Sequence, residues 1–217
     1  GTVGNGISQD PAISKGGRYV TFRSQASNLV SGDTNGTAWD IFVKDLQTGT
    51  VDRVSVSTAG AQANGASQNP MISADGRFVT YRSSATNLVS GDTNGQPDIF
   101  VRDRQTNTTT RVSVVTGGAQ ATGGVSDEPA ISDDGRYVAF QSDATNLVTG
   151  DTNAKTDVFR HDRQTNTTIR ISVSSSGAKS NNVSTDPALN GDGSRVVWES
   201  IATNLVAGDT NAKEDVF

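Results

Sequence analysis

The sequence is built from one unit of about 59 residues that recurs along the whole chain. The motif Pro-x-Ile/Leu-Ser/Asn begins at Pro11, Pro70, Pro129 and Pro187, and the motif Asp-Ile/Val-Phe begins at Asp40, Asp98, Asp157 and Asp215. Both motifs recur every 58 or 59 residues. The units run 1–59, 60–117, 118–176 and 177–217, and the fourth is about 17 residues shorter than the others. Such a period indicates a stacked repeat architecture.

Each unit predicts four β-strands. The first is short, Pro11 to Ser14 in unit one, and the second alternates, with Val20 and Phe22 on one face. The third spans Asp40 to Asp45, and the fourth spans Thr109 to Val114 in unit two, where Thr and Val favour a strand. No segment combines a helical period with capping residues, so the predicted fold class is all-β.

Repeated units of four antiparallel strands favour a β-propeller. A single unit cannot bury both faces of its sheet, but stacked units can bury them against each other. A β-sandwich is the alternative, since it also uses short strands and frequent turns; the strict repeat counts against it. We therefore predict that residues 1–217 form one partial β-propeller with an incomplete last blade.

The composition of the chain excludes several classes of function. The 217 residues carry a net charge of -5, which excludes a nucleic-acid binder that relies on a basic surface. No apolar run approaches the ~20 residues of a membrane span. The chain has no Cys and one His, which excludes disulfides, thiolate chemistry and a multi-His metal centre within one chain. Only 33% of residues are hydrophobic and 23 are Gly, which indicates a thin, turn-rich core.

A family resemblance rests on two runs of unit three. They are PAISDDGRYVAFQS, from Pro129 to Ser142, and DVFRHD, from Asp157 to Asp162. These runs resemble the TolB-like (WD-type) β-propeller repeat, and the resemblance covers all four units. It implies a bacterial module, periplasmic or extracellular, that binds proteins or accompanies a peptidase domain. The Gly-x-Ser-x-Gly motif of hydrolases is absent from the sequence.

An extended loop between the second and third strands makes each unit longer than the ~40–45 residues of a WD-type repeat. In it an Asp-Thr-Asn triplet precedes a further Asp, and carboxylate and amide oxygens are ligands that Ca²⁺ prefers. The candidate calcium ligands are Asp33, Asn35, Asp40, Asp92, Asn94, Asp98, Asp151, Asn153, Asp157, Asp209, Asn211 and Asp215. The alternative is turn chemistry, in which Asp and Asn bond nearby backbone amides.

Charged residues cluster at the end of the third strand. They are Lys44, Asp45, Arg102, Asp103, Arg104 and Asp162. We expect them to be solvated and to protect the sheet edge from pairing with other strands.

Strand order predicts which loops share a face. The extended loop and the linker into the next blade, such as residues 60–69, lie on one face of the propeller, and the tight turns lie on the other. We call the first the long-loop face. Because long loops commonly carry function, we predict a binding site there.

Three functions fit these observations. The first is a non-catalytic binding or scaffold module for a protein or glycan, with calcium as the predicted cofactor. The second is a self-assembling repeat protein in which another copy closes the open blade, giving an oligomer or filament. The third is the accessory propeller of a larger hydrolase. No catalytic residue is predicted, because every recurring Asp has a structural explanation.

Overall fold

A computed structural model describes residues 3–211 and 213–217 as fifteen β-strands. Blade 1 contains β1 (Ser8–Ile13), β2 (Tyr19–Ser24), β3 (Asp40–Asp45) and β4 (Val51–Arg53). Blade 2 contains β5 (Ser67–Ile72), β6 (Phe78–Ser83), β7 (Asp98–Asp103) and β8 (Thr108–Arg111). Blade 3 contains β9 (Ser126–Ile131), β10 (Tyr137–Ser142), β11 (Asp157–Asp162) and β12 (Thr167–Arg170). Blade 4 contains β13 (Ser184–Leu189), β14 (Val196–Ser200) and β15 (Asp215–Val216).

Each blade is an antiparallel meander whose strands pair in chain order. The first strands of successive blades contact one another, so they form the inner wall of the array. The all-β propeller with an incomplete last blade is confirmed: blades 1 to 3 have four strands, and the described part of blade 4 has three. None of the described residues belongs to a helix, so none forms a helix able to cross a membrane.

Two predicted strand boundaries are wrong. The first strand begins at Ser8 rather than Pro11, because a bulge between Gln9 and Ala12 lets it continue through the proline. Asp10 in that bulge has a φ of 52°. In unit two the fourth strand ends at Arg111 rather than Val114, since the chain then leaves the sheet to begin the linker.

The hydrophobic core lies between blades. We call the sheet surface that packs on the next blade the forward face, and the opposite surface the backward face. Between blades 1 and 2, Ile41 and Val43 of the forward face pack on Val79, Tyr81 and Phe100 of the backward face. Equivalent residues meet between blades 2 and 3: Ile99, Val101, Val138, Phe140 and Phe159. The middle blades are therefore covered on both surfaces.

The charged residues at the end of the third strand are not all solvated, which corrects the sequence expectation. Asp103 is buried and receives a bidentate ion pair from Arg77, with Nη2 2.7 Å from Oδ2 and Nε 3.0 Å from Oδ1. The hydrogen bonds from Arg77 hold the pKa of Asp103 far below its usual value. The same pairing joins Arg18 to Asp45 and Arg136 to Asp162. Arg102 is also buried, where it donates to the Asn107 carbonyl.

Candidate binding face

The long-loop face is held together by side-chain hydrogen bonds between each linker and the following extended loop. The backbone N–H of Asn64 donates to Asn87 Oδ1 at 3.0 Å, and Asn87 Nδ2 donates to the Gln62 carbonyl at 2.8 Å. The N–H of Thr86 donates back to Asn64 Oδ1 at 2.9 Å. Equivalent bonds join Asn5 to Asn28 and Asn181 to Asn204. Loop and linker thus lie on one face, as the strand order predicts.

Apolar residues anchor each extended loop between blades. Ala85 and Leu88 of the second loop are buried in the core between blades 1 and 2, and Leu147 of the third loop is buried between blades 2 and 3. The loops are consequently packed parts of the propeller as well as surface features.

The residues predicted to bind calcium in the second loop come together around an arginine. Arg111 Nη1 lies 3.3 Å from Asp92 Oδ1 and 3.2 Å from Asp98 Oδ2. Asn94 Nδ2 donates to Asp98 Oδ2 at 3.0 Å, and Ser113 Oγ donates to Asp98 Oδ1 at 2.6 Å. Both carboxylates are almost fully buried. We call this set of five residues, and its equivalents in other blades, the polar latch.

The polar latch recurs in blades 1 and 3. In blade 1, Arg53 Nη1 lies 3.6 Å from Asp33 Oδ1 and 3.4 Å from Asp40 Oδ2, while Asn35 Nδ2 donates to Asp40 Oδ2. Ser55 Oγ completes the set by donating to Asp40 Oδ1. In blade 3, Arg170 Nη2 lies 2.7 Å from Asp151 Oδ1 and 3.5 Å from Asp157 Oδ2. Asn153 and Ser172 donate to Asp157 there.

Blade 4 keeps only the loop side of the latch. Asn211 Nδ2 donates to Asp215 Oδ2 at 3.0 Å, but the described residues of this blade place no arginine beside Asp209 or Asp215. The arginine and serine of the complete latches come just after or at the end of the fourth strand, which the described part of blade 4 does not include.

The geometry of the complete latches fits a guanidinium better than a calcium ion. Arg111 Nη1 already lies between the carboxylates of Asp92 and Asp98. Asn94 directs its amide nitrogen at Asp98, the carboxylate that a cation would need. Burial raises the pKa of Asp40, Asp92 and Asp157, and the charge of the neighbouring arginine lowers it in each case. No group of three or more His, Cys, Asp or Glu within the described residues is arranged to hold a metal ion. Calcium binding by these loops is an untested prediction from the sequence, and loops held by arginine without a metal are the alternative that this geometry favours.

Sequence reasoning missed the arginine and serine of the latch, although a signal was present. The motif Arg-Val/Ile-Ser-Val begins at Arg53, Arg111 and Arg170, at the same period as the other repeat motifs. A recurring arginine near a recurring pair of carboxylates predicts an ion pair as readily as a metal site.

A second group of acidic residues lies at the axis. The residue before each inner proline has a positive φ: 52° at Asp10, 52° at Asn69, 46° at Glu128 and 50° at Asp186. Three of them, with their prolines, line a cavity of about 320 Å³. We call Asp10, Asn69, Asp127, Glu128 and Asp186 the acidic mouth. All five lie in the first half of their strands, the half nearer the long-loop face.

Within the acidic mouth, Asp10 and Asp127 are paired with arginine, whereas the described residues form no ion pair with Glu128 or Asp186. Asp10 pairs with Arg23 at 2.8 Å, and Asp127 pairs with Arg82 at 3.2 Å. Glu128 receives only a hydrogen bond from Asn69 Nδ2, at 3.0 Å, among the contacts of the described residues. Its pKa is raised by burial and by the charges of Asp127, Asp186 and Asp10. The mouth therefore concentrates negative charge at the axis.

The opposite end of the axis is spanned by an ion pair. Lys15 Nζ of blade 1 lies 2.7 Å from Asp133 Oδ2 of blade 3, on the face that carries the tight turns. The turns themselves are linked by a backbone hydrogen bond from Ala74 N–H to the Asp133 carbonyl. These contacts link blades 1, 2 and 3 at the end of the axis opposite the acidic mouth.

Comparison with solved structures identifies the fold. TolB from Acinetobacter baumannii superposes with a TM-score of 0.55 at 18% identity, covering 97% of this chain and 40% of TolB. The chain has the TolB-like β-propeller fold. No protein-family model and no curated protein matches the sequence.

Two enzyme-related structures share the TolB-like fold. The propeller domain of the Trilobed protease from Pyrococcus furiosus has a TM-score of 0.52 at 12% identity, covering 98% of this chain and 57% of that one. Oligogalacturonate lyase from Vibrio parahaemolyticus has a TM-score of 0.56 at 12% identity, covering 100% and 54%. This chain thus spans 40% to 57% of the three proteins. The TolB-like fold occurs in catalytic proteins as well, so activity must be argued from the site.

Other polar and concave features of the TolB-like propeller lie outside the acidic mouth. His161 is buried in blade 3, its Nδ1 2.9 Å from Thr168 Oγ1, and burial lowers its pKa to about 4. A groove of about 740 Å³ runs along the outer edge between blades 2 and 3, lined in part by Leu147 and Ile169. The Thr168 hydroxyl beside His161 donates its proton to the Val114 carbonyl and is buried, so this pair is explained as part of the blade packing.

Proposed function

We propose that the chain is a non-catalytic binding module that holds a cationic segment of a protein partner at the acidic mouth. The main observation in support is that carboxylates from several blades converge beside a cavity near the long-loop face. The extended loops around it are tied to the linkers by hydrogen bonds, which provides a rigid rim. A preorganised rim lowers the entropy cost of binding.

Electrostatics supports a cationic ligand. The pKa of Glu128 is raised because burial and three neighbouring Asp residues disfavour its charge. A Lys or Arg side chain entering the cavity would relieve that repulsion and gain charge-assisted hydrogen bonds. An acidic ligand would meet charge of the same sign and be rejected.

The absence of catalysis is part of the proposal. The recurring carboxylates of the complete latches are paired with arginine, so we do not assign them a role in acid–base catalysis. The resemblance to TolB-like repeats supports a periplasmic or extracellular location in a bacterium.

We expect Glu128→Gln to weaken binding of a fluorescein-labelled tetralysine peptide by about fivefold, as loss of one charge at the mouth predicts. Fluorescence anisotropy at low salt is the measurement. Asp52→Asn is the matched control, because it removes one charge from an exposed residue of the outer strand β4. Binding should be unchanged in this control. Equal weakening in both variants would contradict a site at the mouth and indicate attraction to net charge alone.

A second candidate function is the accessory propeller of a hydrolase. The likeness to the propeller domain of the Trilobed protease favours it. The reading frame that encodes this chain tests the idea: a peptidase domain on the same polypeptide would support it, and a polypeptide made of propeller repeats alone would contradict it.

A further inference from the structure

The groove of about 740 Å³ between blades 2 and 3, which we call the outer groove, has a counterpart one repeat earlier. Residues 115–116, 146–149 and 168 form part of its lining. The same repeat positions, 57–58, 87–90 and 109, line a cavity of about 420 Å³ between blades 1 and 2. Blades 1, 2 and 3 each have four strands. The concavity is therefore a feature of the repeat, and its chemistry can be compared at two positions.

The outer groove is more apolar than its counterpart. Ile169 is 44% exposed in it, at the position that Thr110 holds in blade 2 and Asp52 holds in blade 1. Val115 lines the outer groove where Ser57 lines the smaller cavity. Small-molecule sites are typically clefts of about 300–1,000 Å³ with mostly apolar walls and a few polar groups. The outer groove has this character.

The charge of the surrounding wall also differs from that of the other blades. Each complete latch contributes one arginine and two aspartates, and a glutamine, Gln62 or Gln120, holds the linker position beside it in blades 1 and 2. In blade 3 this position is Lys179, which lines the outer groove. The wall then carries two positive and two negative charges, so it lacks the negative excess of its equivalents.

Lys179 changes the hydrogen bonding of the latch arginine. In blade 1, Arg53 Nη2 donates to the Gly32 carbonyl at 3.2 Å. In blade 3, the equivalent carbonyl, that of Gly150, accepts from Lys179 Nζ instead. The lysine thereby takes the backbone acceptor that the arginine uses in blade 1.

Arg170 is left with buried donors that have no acceptor. It lines the outer groove, and its side chain is only 5% exposed. Nη2 lies 2.7 Å from Asp151 Oδ1, but Nε and Nη1 have no hydrogen-bond acceptor among the described residues. A buried donor without an acceptor is costly, so a ligand oxygen that accepts from Arg170 would be favoured.

We propose that the outer groove binds a carboxylate carried on a single alkyl chain, as in a fatty acid. The carboxylate lies at Arg170 and Lys179, and the chain lies along Ile169 and Val115. Charge-assisted hydrogen bonds and the burial of apolar surface both stabilise the complex. The site is separate from the acidic mouth, and its ligand has the opposite charge.

An alkyl chain fits the outer groove better than a peptide does, because polar groups of the lining are already engaged. Thr116 Oγ1 donates to the Thr168 carbonyl at 3.3 Å, and Asn146 Nδ2 donates to the Gln120 carbonyl at 2.9 Å. The Thr168 hydroxyl donates to the Val114 carbonyl. The backbone groups of a peptide would lose their hydrogen bonds to water there, whereas an alkyl chain has none to lose.

Isothermal titration calorimetry with sodium octanoate tests the proposal. Octanoate should bind one to one, and octanamide, which has the same chain without the charge, should bind at least about fivefold more weakly. Ile169→Asp should weaken octanoate binding by about tenfold, since it puts a negative charge on the apolar wall. Thr110→Asp makes the same change of charge at the equivalent exposed position of blade 2, so it is the matched control and should leave binding unchanged.

Lys179→Gln gives an independent test, because it restores the linker residue of blades 1 and 2 at an exposed position. It should weaken octanoate binding by about fivefold, since it removes one cation and frees the Gly150 carbonyl for Arg170. The absence of saturable octanoate binding would overturn the proposal. So would octanamide binding as tightly as octanoate, equal weakening by Ile169→Asp and Thr110→Asp, or an affinity that Lys179→Gln leaves unchanged.

Discussion

Replacing Arg111 with Met should lower the free energy of unfolding by about 3–5 kcal/mol, because two buried carboxylates lose the arginine that pairs with both of them. Arg111 and the carboxylates of Asp92 and Asp98 are all less than a tenth exposed, so water cannot replace the lost partner. Urea unfolding at neutral pH measures the effect. Arg195→Met in blade 4, at an exposed position, is the control and should change stability by less than about 0.5 kcal/mol.

Two further measurements separate lost charge pairing from lost packing. Adding Asp98→Asn to Arg111→Met should recover part of the stability, because it removes one of the unpaired charges. The loss of unfolding free energy caused by Arg111→Met should also become smaller as pH falls. Burial raises the pKa of Asp92 even with the arginine present, and loss of the arginine's charge raises it further, so the folded state of the variant binds more protons than the unfolded state as pH falls. A loss of less than about 1 kcal/mol at neutral pH, as for a surface ion pair, would contradict the latch.

Replacing Gly135 with Ala should lower the free energy of unfolding by about 2–4 kcal/mol, whereas Gly17→Ala should lower it by only about 1 kcal/mol. The two glycines occupy equivalent turns with the same φ of 72°, so their backbone strain is matched. A Cβ on Gly135 would lie 2.1 Å from Phe78 Cδ2 of the preceding blade, while one on Gly17 would meet nothing within 4 Å. The difference between the variants isolates contact between blades, and equal losses in urea unfolding would contradict that packing.

Much of the fold was predictable because the repeat carries strong local signals. Asp40–Asp45 matches its predicted strand, since its Asp-Ile/Val-Phe motif recurs at a fixed period and the strand is buried on both faces. The first strand was predicted too short because proline argued against its continuation, and the bulge at Asp10 is visible only in three dimensions.

The candidate site was less predictable because its partners come from distant segments. The sequence places Asp92 and Asn94 together in one loop, and their binding of calcium stays a prediction; Arg111 reaches this loop from the last strand of the blade. The acidic mouth joins Asp10 and Glu128, which lie two repeats apart in sequence and approach only because inner strands gather around one axis. A single sequence shows the period of such residues but not their convergence.

A crystal structure grown in the presence of calcium tests most directly the claim that these loops are held by arginine. We expect the guanidinium groups of Arg53, Arg111 and Arg170 between their paired carboxylates, with no calcium signal in the anomalous map at those three loops. Calcium ions bound by Asp33, Asp92 and Asp151, with the arginines displaced, would contradict the account.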